Sequence, residues 1–381
     1  MKRIVVMVLF ALVATMLFGT CASAQEIKIG GLFDLSGKAS HIGIPSKQVA
    51  NMVVDDINKK GGINGKKIKL IIADTRSEPA QAVIAFKKLV EKDKVVAVVG
   101  PTTTGAIMAM LPAIESAKIP VVALVGGAAA VVPVEERKWV FKSPQKSSSA
   151  VARIYIHLRN QGVKKIGLLT ATDAFGQEGE ELLKSLANNY GIRIVAHEKF
   201  DPKDKDMTVQ IGKIAQEKPE AMIVWTVGPA GAMATKNARQ LKVPFKIIQC
   251  HGQPDPTYIK LAGADANGTL MPSTKLMIAD QLPDSDPQKK LLLNFKKEYE
   301  KRGYGEVGTH SGYAWDGIQL IANAIKKAGT NPAKIRDALE NTKNYVGVSG
   351  IYNMSSKDHV GLDSSSLVMV EVVNGKWKLV K

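Results

Sequence analysis

The chain has 381 residues, of which 45% are hydrophobic, and a formal net charge of +17 that arises from 52 Lys and Arg against 35 Asp and Glu. This length is too great for one hydrophobic core and predicts two lobes, while two cysteines are too few for a disulfide scaffold. The basic residues are scattered and form no Arg-rich arm or aromatic-interleaved stripe, so we expect no nucleic-acid partner and assign the charge mainly to solvated faces.

The predicted elements begin with a secretory signal peptide over residues 1–24. Lys2 and Arg3 give a positive start, residues 4–18 are apolar, and residues 22–24 have the small-x-small cleavage pattern. The apolar run is shorter than the roughly 20 residues of a transmembrane helix, which argues against a membrane anchor. Cys21 offers a lipid-anchored alternative, but the residues before it fit an acylation site poorly. We therefore expect an exported, periplasmic protein without a lipid anchor.

Short apolar runs rich in β-branched residues predict eight strands after this segment. Runs of this kind suit strands that are buried on both faces of a parallel sheet. The predicted strands cover residues 27–32, 67–73, 95–99, 121–125, 166–170, 192–198, 221–226 and 245–249.

Amphipathic segments between these strands predict helices. They cover residues 45–59, 79–92, 105–117, 147–160, 176–190, 207–218 and 230–241. Gly61, Gly62 and Gly191 follow predicted helices as plausible caps. The repeated strand–helix order predicts an α/β fold in which helices cover parallel sheets, with right-handed crossovers.

The second half of the chain is less regular. A polar stretch at residues 142–145 ends the first set of strand–helix units, and the pattern weakens near residues 268–273. Asn374-Gly375 predicts a tight turn between two strands. The remaining predicted elements are helices at 288–302, 312–327 and 332–341 and strands at 367–373 and 377–380.

Three motifs near the amino end carry a family resemblance. They are IGGLFDLSG at 29–37, DINKKGGING at 56–65 and GPTTTG at 100–105. In order and spacing they resemble the periplasmic leucine/isoleucine/valine-binding family of ABC-transporter proteins. This resemblance implies the type I periplasmic binding fold, in which two Rossmann-like lobes with parallel central sheets are joined by a three-strand hinge. It also implies that ABC permease membrane subunits are partners, and we expect a monomer.

The same resemblance suggests where the lobes divide. We expect lobe 1 to comprise residues 25–144 and 275–352, and lobe 2 to comprise residues 145–274 and 353–381. Closure of the two lobes on a solute by hinge motion would then present the closed form to the permease.

The segment 100–105 is a candidate anion site. It follows a buried strand and opens a helix, so the hydroxyls of Thr102, Thr103 and Thr104 meet free backbone N–H groups at a helix N-terminus. Such an end attracts a carboxylate or phosphate without a formal cation. Capping by one threonine is the structural alternative, but it uses one hydroxyl of the three. The resemblance implies that the residue matching Thr104 binds an amino acid carboxylate.

Ligands in open α/β sheets lie beyond the carboxyl ends of the strands, so the other loops at that edge supply further candidates. The candidate ligand-binding residues in these loops are Val125, Gly126, Gly127, Phe175, Trp225, Val227 and His251. The resemblance places Phe175 where the family's aromatic residue packs on the ligand, and a buried core phenylalanine is the alternative. Two candidates for the lobe 1 wall are Ile42 and Tyr313. His310 and Ser311, which lie close to Tyr313 in the sequence, are further candidates for this wall.

Four positions depart from the family pattern. His251 stands where the family has the acidic residue that pairs with the ligand ammonium. Gly127 stands in place of a hydroxyl residue, Ile42 in place of an aromatic residue and Val227 in place of a tyrosine. A buried ammonium without an anionic partner is very costly, and His251 favours an acceptor or anionic group on the ligand. We therefore predict a small carboxylate with an apolar or aromatic body, with a standard amino acid as the alternative.

The sequence contains no catalytic template. The GxSxG, HExxH, P-loop and CxxC patterns are missing, and the six histidines are dispersed. Asp34 and Asp74, at predicted strand ends, are expected to serve turns. We therefore expect a binding protein, not an enzyme, with no metal or cofactor. A ligand-sensing regulator of the same fold is one alternative, and a secreted hydrolase is the weaker one.

Overall fold

The computed structural model describes residues 26–380, which form two lobes, each built on one sheet. The strands of the first sheet are β1 (Ile27–Phe33), β2 (Ile68–Asp74), β3 (Ala97–Val99), β4 (Val121–Ala123) and β5 (Val140–Lys142). They are parallel, in the order β2-β1-β3-β4-β5. The predicted signal peptide and Cys21 lie outside the described residues.

Helices connect these parallel strands, as the alternating pattern predicts. They are α1 (Ser40–Lys59), α2 (Pro79–Glu91) and α3 (Thr104–Ala117). Every residue of β3, β4 and β5 is buried, because helices cover both faces of the sheet. Burial of each Val or Ile side chain in such a layer contributes roughly 1.5–3 kcal/mol, so these short strands are held by packing.

The second lobe repeats this arrangement. Its helices are α4 (Ser147–Asn160), α5 (Ala174–Ala187), α6 (Thr208–Gln216), α7 (Pro229–Gln240) and α8 (Pro256–Ala262). Its strands begin with β6 (Lys165–Ala171), β7 (Arg193–Phe200), β8 (Ala221–Trp225), β9 (Lys246–Gln249) and β10 (Leu270–Thr274). All five strands run parallel to their neighbours in this set.

After β10 the chain returns to the first lobe. This segment contains α9 (Lys289–Lys301), α10 (Thr309–Ala328), α11 (Pro332–Glu340) and a small hairpin of β11 (Tyr345–Val346) and β12 (Ile351–Tyr352). Helix α10 packs against α1, β3 and β4, which fixes the segment on the first sheet. No helix among residues 26–380 combines the length and apolar character needed to cross a bilayer.

The last strands, β13 (Leu367–Val373) and β14 (Lys376–Leu379), complete the second sheet in the order β14-β13-β10-β9-β8-β6-β7. Both pair antiparallel, and Asn374 and Gly375 between them have positive φ values of 49° and 70°, which confirms the predicted tight turn. The chain therefore passes between the lobes three times: between β5 and α4, after β10, and before β13. This confirms the predicted fold class.

Several element predictions were wrong in their bounds. Helix α1 begins at Ser40 and contains Pro45, which was predicted to start it; the missing proline amide removes only one hydrogen bond from a helix that is packed along its length. Helix α10 begins at Thr309, three residues earlier than predicted, so His310 and Ser311 lie inside it and not before it. Strands β5 and β10 and helix α8 were not predicted, since their polar or short sequences lack a clear period.

Candidate ligand-binding cleft

A cavity of about 280 Å³ lies between the two lobes. In the first lobe its lining comes from the loops after β1, β2, β3 and β4 and from the start of α10, and in the second lobe from the loops after β6, β8 and β9. These loops all follow the carboxyl ends of parallel strands, where open α/β sheets bind their ligands. The topology therefore brings both sets of loops to one place.

The amino end of helix α3 forms one wall of the cavity. The helix begins at Thr104, and the preceding residue, Thr103, makes no side-chain cap hydrogen bond. Thr103, Thr104, Gly105 and Ala106 all line the cavity. The first amides of a helix have no acceptor within it, so this end presents N–H groups and the positive end of the helix dipole to a ligand. Capping by a threonine side chain, the structural alternative, does not occur at this helix end.

Thr102 lines the same wall, but its hydroxyl is used within the protein. It donates to Asp34 Oδ2 and accepts the Asp34 amide at 3.2 Å. Asp34 Oδ1 also accepts the Thr75 hydroxyl at 2.7 Å, and burial raises the pKa of this carboxyl group. The Asp34 carboxyl group therefore anchors the loop before α3, with a further side-chain hydrogen bond from Thr103, and the Thr104 hydroxyl remains for a ligand.

Aromatic rings form the opposite wall, on the second lobe. Phe175 and His251 line the cavity with ring centroids 5.7 Å apart. Trp225 lies behind them, with its ring centroid 5.7 Å from Phe175 and 5.6 Å from His251. Trp225 is fully buried, so it supports these two rings from beneath and does not line the cavity. This wall offers an apolar surface to a ligand.

His251 is the polar ring of this aromatic wall, and it is neutral. Only 2% of the residue is exposed, and burial lowers its pKa to about 3, with smaller contributions from Lys142 and His310. Neither Nδ1 nor Nε2 has a hydrogen-bond partner among residues 26–380. A buried polar atom without a partner is unfavourable, so the imidazole is available to a ligand as one donor and one acceptor.

The remaining wall belongs to α1 and α10. Ile42 and Tyr313 line the cavity, and the Tyr313 hydroxyl donates to Gln145 Oε1 at 3.4 Å. Burial raises the pKa of Tyr313, which keeps the phenol protonated. His310 also lines the cavity, and its Nε2 lies 3.2 Å from Gly252 O of the second lobe. Burial lowers the pKa of His310 to about 4, so its neutral Nε2–H can donate this cross-lobe bond.

The cavity brings together most of the residues predicted to bind a ligand. Those in its lining are Ile42, Thr102, Thr103, Thr104, Gly126, Phe175, Val227, His251 and Tyr313. Val125, Gly127 and Trp225 lie outside the lining. Strand β4 ends at Ala123, two residues earlier than predicted, so that Leu124 lines the cavity while Val125 is packed in the core.

Ten further residues line the cavity; of these, His310 was predicted for the lobe 1 wall and Gly105 belongs to the predicted anion segment. They are Lys38, Ser77, Pro79, Gly105, Ala106, Leu124, Asp173, Ala174, Gly252 and His310. Ser77 and Pro79 come from the loop after β2, to which the strand-end rule applies equally. Gly105 and Ala106 follow from the helix start at Thr104, because the first turn exposes several amides. The position of Lys38 carries no comparable signal in the sequence.

Asp173 is the one carboxylate among the described residues that line the cavity. Its Oδ1 accepts the Gly176 amide at 2.9 Å as the N-cap of α5, so the group serves the helix. No three His, Cys, Asp or Glu side chains between residues 26 and 380 converge in a way that could hold a metal ion. Asp74, the last residue of β2, accepts hydrogen bonds from the amides of Leu35 and Arg76, which confirms its predicted role in turns.

Comparison with known proteins agrees with this arrangement. A family profile described as periplasmic binding protein matches residues 26–376. The Leu/Ile/Val-binding protein BraC3 of Rhizobium johnstonii is 28% identical over 324 residues, which cover 84% of each chain. These matches span nearly all of the described residues.

Solved structures show the same fold. An extracellular ligand-binding receptor from Rhodopseudomonas palustris HaA2 superposes with a TM-score of 0.87 at 27% identity, covering 93% of this chain and 99% of that one. The branched-chain amino acid transporter substrate-binding protein of Streptococcus pneumoniae, solved with isoleucine, gives 0.81 at 26% identity and covers 94% and 100%. These relatives bind solutes, and their family implies a periplasmic or extracellular location. The chain thus belongs to the periplasmic binding protein family, as a substrate-binding protein of the branched-chain amino acid transporter type.

Proposed function

We propose that this protein captures an organic monocarboxylate with an apolar or aromatic body and delivers it to the membrane subunits of an ABC transporter. One observation carries the proposal: His251 is buried, neutral and without a hydrogen-bond partner in the described part of the chain, and it stands where the family pattern places an anionic partner for the ligand ammonium. A neutral imidazole compensates an ammonium charge poorly, and unpaired buried charge is costly. The ligand carboxylate is proposed to lie at the amino end of α3, at Thr103 and Thr104.

The same proposal assigns a role to each side of the cleft. Phe175, supported by Trp225, packs on the ligand body, and Ile42, Val227 and Tyr313 enclose it. Lobe 1 (25–144 and 275–352) and lobe 2 (145–274 and 353–381) close by rotation at the three crossings. We further propose export by the amino-terminal signal peptide, absence of a lipid anchor at Cys21, a monomeric state and no catalytic activity.

A matched pair of ligands tests the proposal, because leucine and 4-methylpentanoate differ only in the amino group. Isothermal titration of the purified protein, stripped of bound ligand by unfolding and refolding, should give at least tenfold tighter binding of 4-methylpentanoate. Phenylalanine and 3-phenylpropanoate extend the comparison to aromatic bodies. Mass spectrometry of the ligand released on unfolding identifies the natural class. Tighter binding of leucine would overturn the proposal.

Asp173 provides the control for the alternative that the ligand is an amino acid. If the free carboxylate oxygen of Asp173 paired with a ligand ammonium, Asp173→Asn would weaken leucine binding and leave 4-methylpentanoate unaffected. Under the proposal, the substitution changes neither affinity selectively, because the Asp173 side chain caps α5 and asparagine also caps helices well.

A further inference from the structure

Lys142 is a fully buried lysine directly behind the ligand cavity. It is the last residue of β5, next to the crossing into the second lobe, and none of it is exposed to solvent. Its Nζ donates to Gly126 O at 2.6 Å, Gly127 O at 3.1 Å and Gln145 O at 3.0 Å. Three carbonyl acceptors satisfy all three N–H bonds of an ammonium group. The side chain thereby joins the loop after β4 to the crossing segment.

This ammonium has no direct counter-charge. Among the described residues, no carboxylate oxygen lies within 4.0 Å of Nζ, and its three partners are neutral carbonyls. Carbonyl dipoles solvate a charge but do not cancel it, and an unneutralised buried charge is costly. Glu178 is the acidic residue with the strongest effect on Lys142. Its carboxylate accepts the amides of Ala128 and Ala129 and the Ser147 hydroxyl.

One peptide group separates this charge from the cavity. Gly126 lines the cavity, and its carbonyl oxygen accepts the shortest of the Lys142 bonds. In a planar trans peptide, the next N–H points opposite to the carbonyl, so the Gly127 amide is turned away from Lys142. A side chain added at Gly127 would lie 2.9 Å from Thr104 Oγ1. The Lys142 side chain therefore fixes this loop against the amino end of α3.

We propose that Lys142 is a specificity-determining positioning residue, which holds the Gly126–Gly127 loop beside the ligand carboxylate and favours anionic carboxylates over zwitterions by a charge that no carboxylate of the described residues contacts directly. The inference rests on the proposed function and deepens it. A carboxylate in the cavity adds a counter-charge on the ligand side of the loop to those of Glu178 and Asp358, which lie beyond 4.0 Å, whereas the ammonium of an amino acid is repelled. The anion preference of the cleft then has two sources: the amides of α3 and the Lys142 ammonium.

The charge of Lys142 depends on its surroundings. Burial lowers the pKa of Lys142 to about 7; Glu178 and Asp358 act to raise it and Lys146 acts to lower it. His251, which faces it across the loop, is neutral. A bound carboxylate should raise this pKa again, because a nearby anion favours the protonated amine. Ligand binding is therefore expected to be linked to proton uptake.

The first test removes the charge and keeps the length of the side chain. Isothermal titration at pH 7 compares Lys142→Met with the wild-type protein, using 4-methylpentanoate and leucine as probes. We expect the affinity for 4-methylpentanoate to fall at least tenfold more than the affinity for leucine. Lys146→Met is the matched control: this lysine is in the same crossing segment, but it is partly exposed and pairs with Asp358 at 3.3 Å, so its removal should change the ratio far less.

The outcomes separate the two proposals. If wild-type protein prefers 4-methylpentanoate and folded Lys142→Met retains the same preference, the role of Lys142 is overturned while the proposed function stands. If wild-type protein prefers leucine, both are overturned. Lys38 also lines the cavity and is an alternative source of positive charge, which Lys38→Met removes. If Lys38→Met loses the preference for 4-methylpentanoate and Lys142→Met keeps it, the inference is also overturned.

A second measurement needs no variant and remains decisive if Lys142→Met does not fold. Titration of the wild-type protein with 4-methylpentanoate in buffers of different ionisation enthalpy gives the number of protons taken up on binding. We expect a fraction of one proton at pH 8.5 and almost none at pH 6, where Lys142 is already protonated. Equal proton exchange at the two pH values would overturn the inference.

Discussion

His251 is the polar ring in the aromatic part of the second-lobe wall, and we expect it to govern which head group the cleft accepts. Its two nitrogens have no partner within the described residues, and its ring lies against Phe175 and Trp225. A neutral imidazole can donate to or accept from a neutral polar group, but it adds no negative charge. The selectivity of the site should therefore respond to the charge at this position more than to its size.

Replacement of His251 by glutamate tests this argument. His251→Glu restores an anionic partner, so we expect the ratio of leucine affinity to 4-methylpentanoate affinity to rise at least tenfold in isothermal titration. His251→Gln, which is neutral and similar in size, should leave the ratio close to the wild-type value. An unchanged ratio in His251→Glu would show that the ligand head group does not lie near this residue.

Gly126 limits the space between the walls. A Cβ added there would lie 2.7 Å from Phe175 Cε2 and 3.0 Å from His251 Nε2, closer than side chains tolerate. Gly126→Ala should weaken binding of the preferred ligand at least tenfold in isothermal titration, because both rings must move into the ligand space. It should lower the melting temperature only slightly, since the rings can move toward the empty cavity.

Gly212 provides the matched control for that substitution. It lies within α6, and a Cβ added to it meets nothing within 4 Å. Gly212→Ala should leave ligand affinity unchanged and stabilise the protein by up to about 1 kcal/mol, because alanine is the better helix former. Equal loss of binding in both variants would contradict the role of Gly126 in the cleft.

At the level of helices and strands, the sequence predicts what local periodicity encodes. Helix α4 and strand β13 have the predicted bounds, because a clear amphipathic or alternating pattern ends sharply at each terminus. Lys142 shows the limit of this reasoning. It stands in a polar stretch that predicts a loop, yet it is the last residue of β5 and is fully buried. Its charge is solvated by the backbone carbonyls of Gly126 and Gly127, which lie 16 and 15 residues earlier in the chain. Contacts of that kind leave no periodic signal.

The candidate site divides in the same way. Thr103, Thr104 and Phe175 follow from the strand-end rule and from the family resemblance, because both depend on local sequence. The use of the Thr102 hydroxyl by Asp34 is set by the packing of two loops that are 68 residues apart in sequence. That contact required the three-dimensional arrangement. His310 was predicted for the lobe 1 wall and does line the cavity, but it does so from within α10, which starts three residues earlier than predicted.

Helix α5 also joins the two lobes through one carboxylate. Glu178 lies three residues after Phe175 and so shares its helix face. Its Oε1 accepts the amides of Ala128 and Ala129, at the start of a short helical turn in the first lobe, and its Oε2 accepts the Ser147 hydroxyl at 3.1 Å. An anion at such a start is stabilised by the backbone dipoles, so this contact favours the closed arrangement.

Substitution of Glu178 by glutamine should weaken closure without removing a ligand contact. We expect Glu178→Gln to accelerate ligand dissociation about tenfold in stopped-flow measurements and to increase the radius of gyration of the ligand-bound protein in small-angle scattering. Glu181→Gln, an exposed carboxylate on the same helix, controls for the loss of charge. Identical dissociation rates in the two variants would assign closure to other contacts.

For the molecule as a whole, burial between and within lobes acts on every histidine of the chain. All six have a pKa lowered mainly by desolvation: about 3 for His251 and about 4 for His310, with smaller shifts for His41, His157, His197 and His359. At pH 7 most histidines are neutral in both the folded and the unfolded states, so their effect on stability is small. Below pH 6.5 the unfolded chain binds protons that the folded chain excludes, and stability falls.

Two buried carboxyl groups oppose this trend. Burial raises the pKa of Asp34, and it raises that of Asp316 to about 6, so protonation of these groups favours the folded state as the pH falls. Hydrogen bonds lower the pKa of other carboxylates, such as Asp74 and Glu220. Protonation of these groups destabilises the folded state, but only below about pH 4. Histidine protonation therefore dominates between pH 6 and pH 5.

We accordingly expect the free energy of unfolding to decrease steeply on mild acidification. Each excluded proton contributes about 1.4 kcal/mol per pH unit, so His251 and His310 together contribute up to about 3 kcal/mol per pH unit between pH 6 and 5, and protonation of Asp316 offsets up to about half of this. Urea unfolding of the ligand-free protein at several pH values measures this slope. The double variant His251→Gln/His310→Gln should flatten it whatever its absolute stability, because its folded and unfolded states no longer differ at these two sites. A slope that the double substitution leaves unchanged would mean that both histidines are already accessible to protons in the folded protein, and that the cleft opens freely in solution without a ligand.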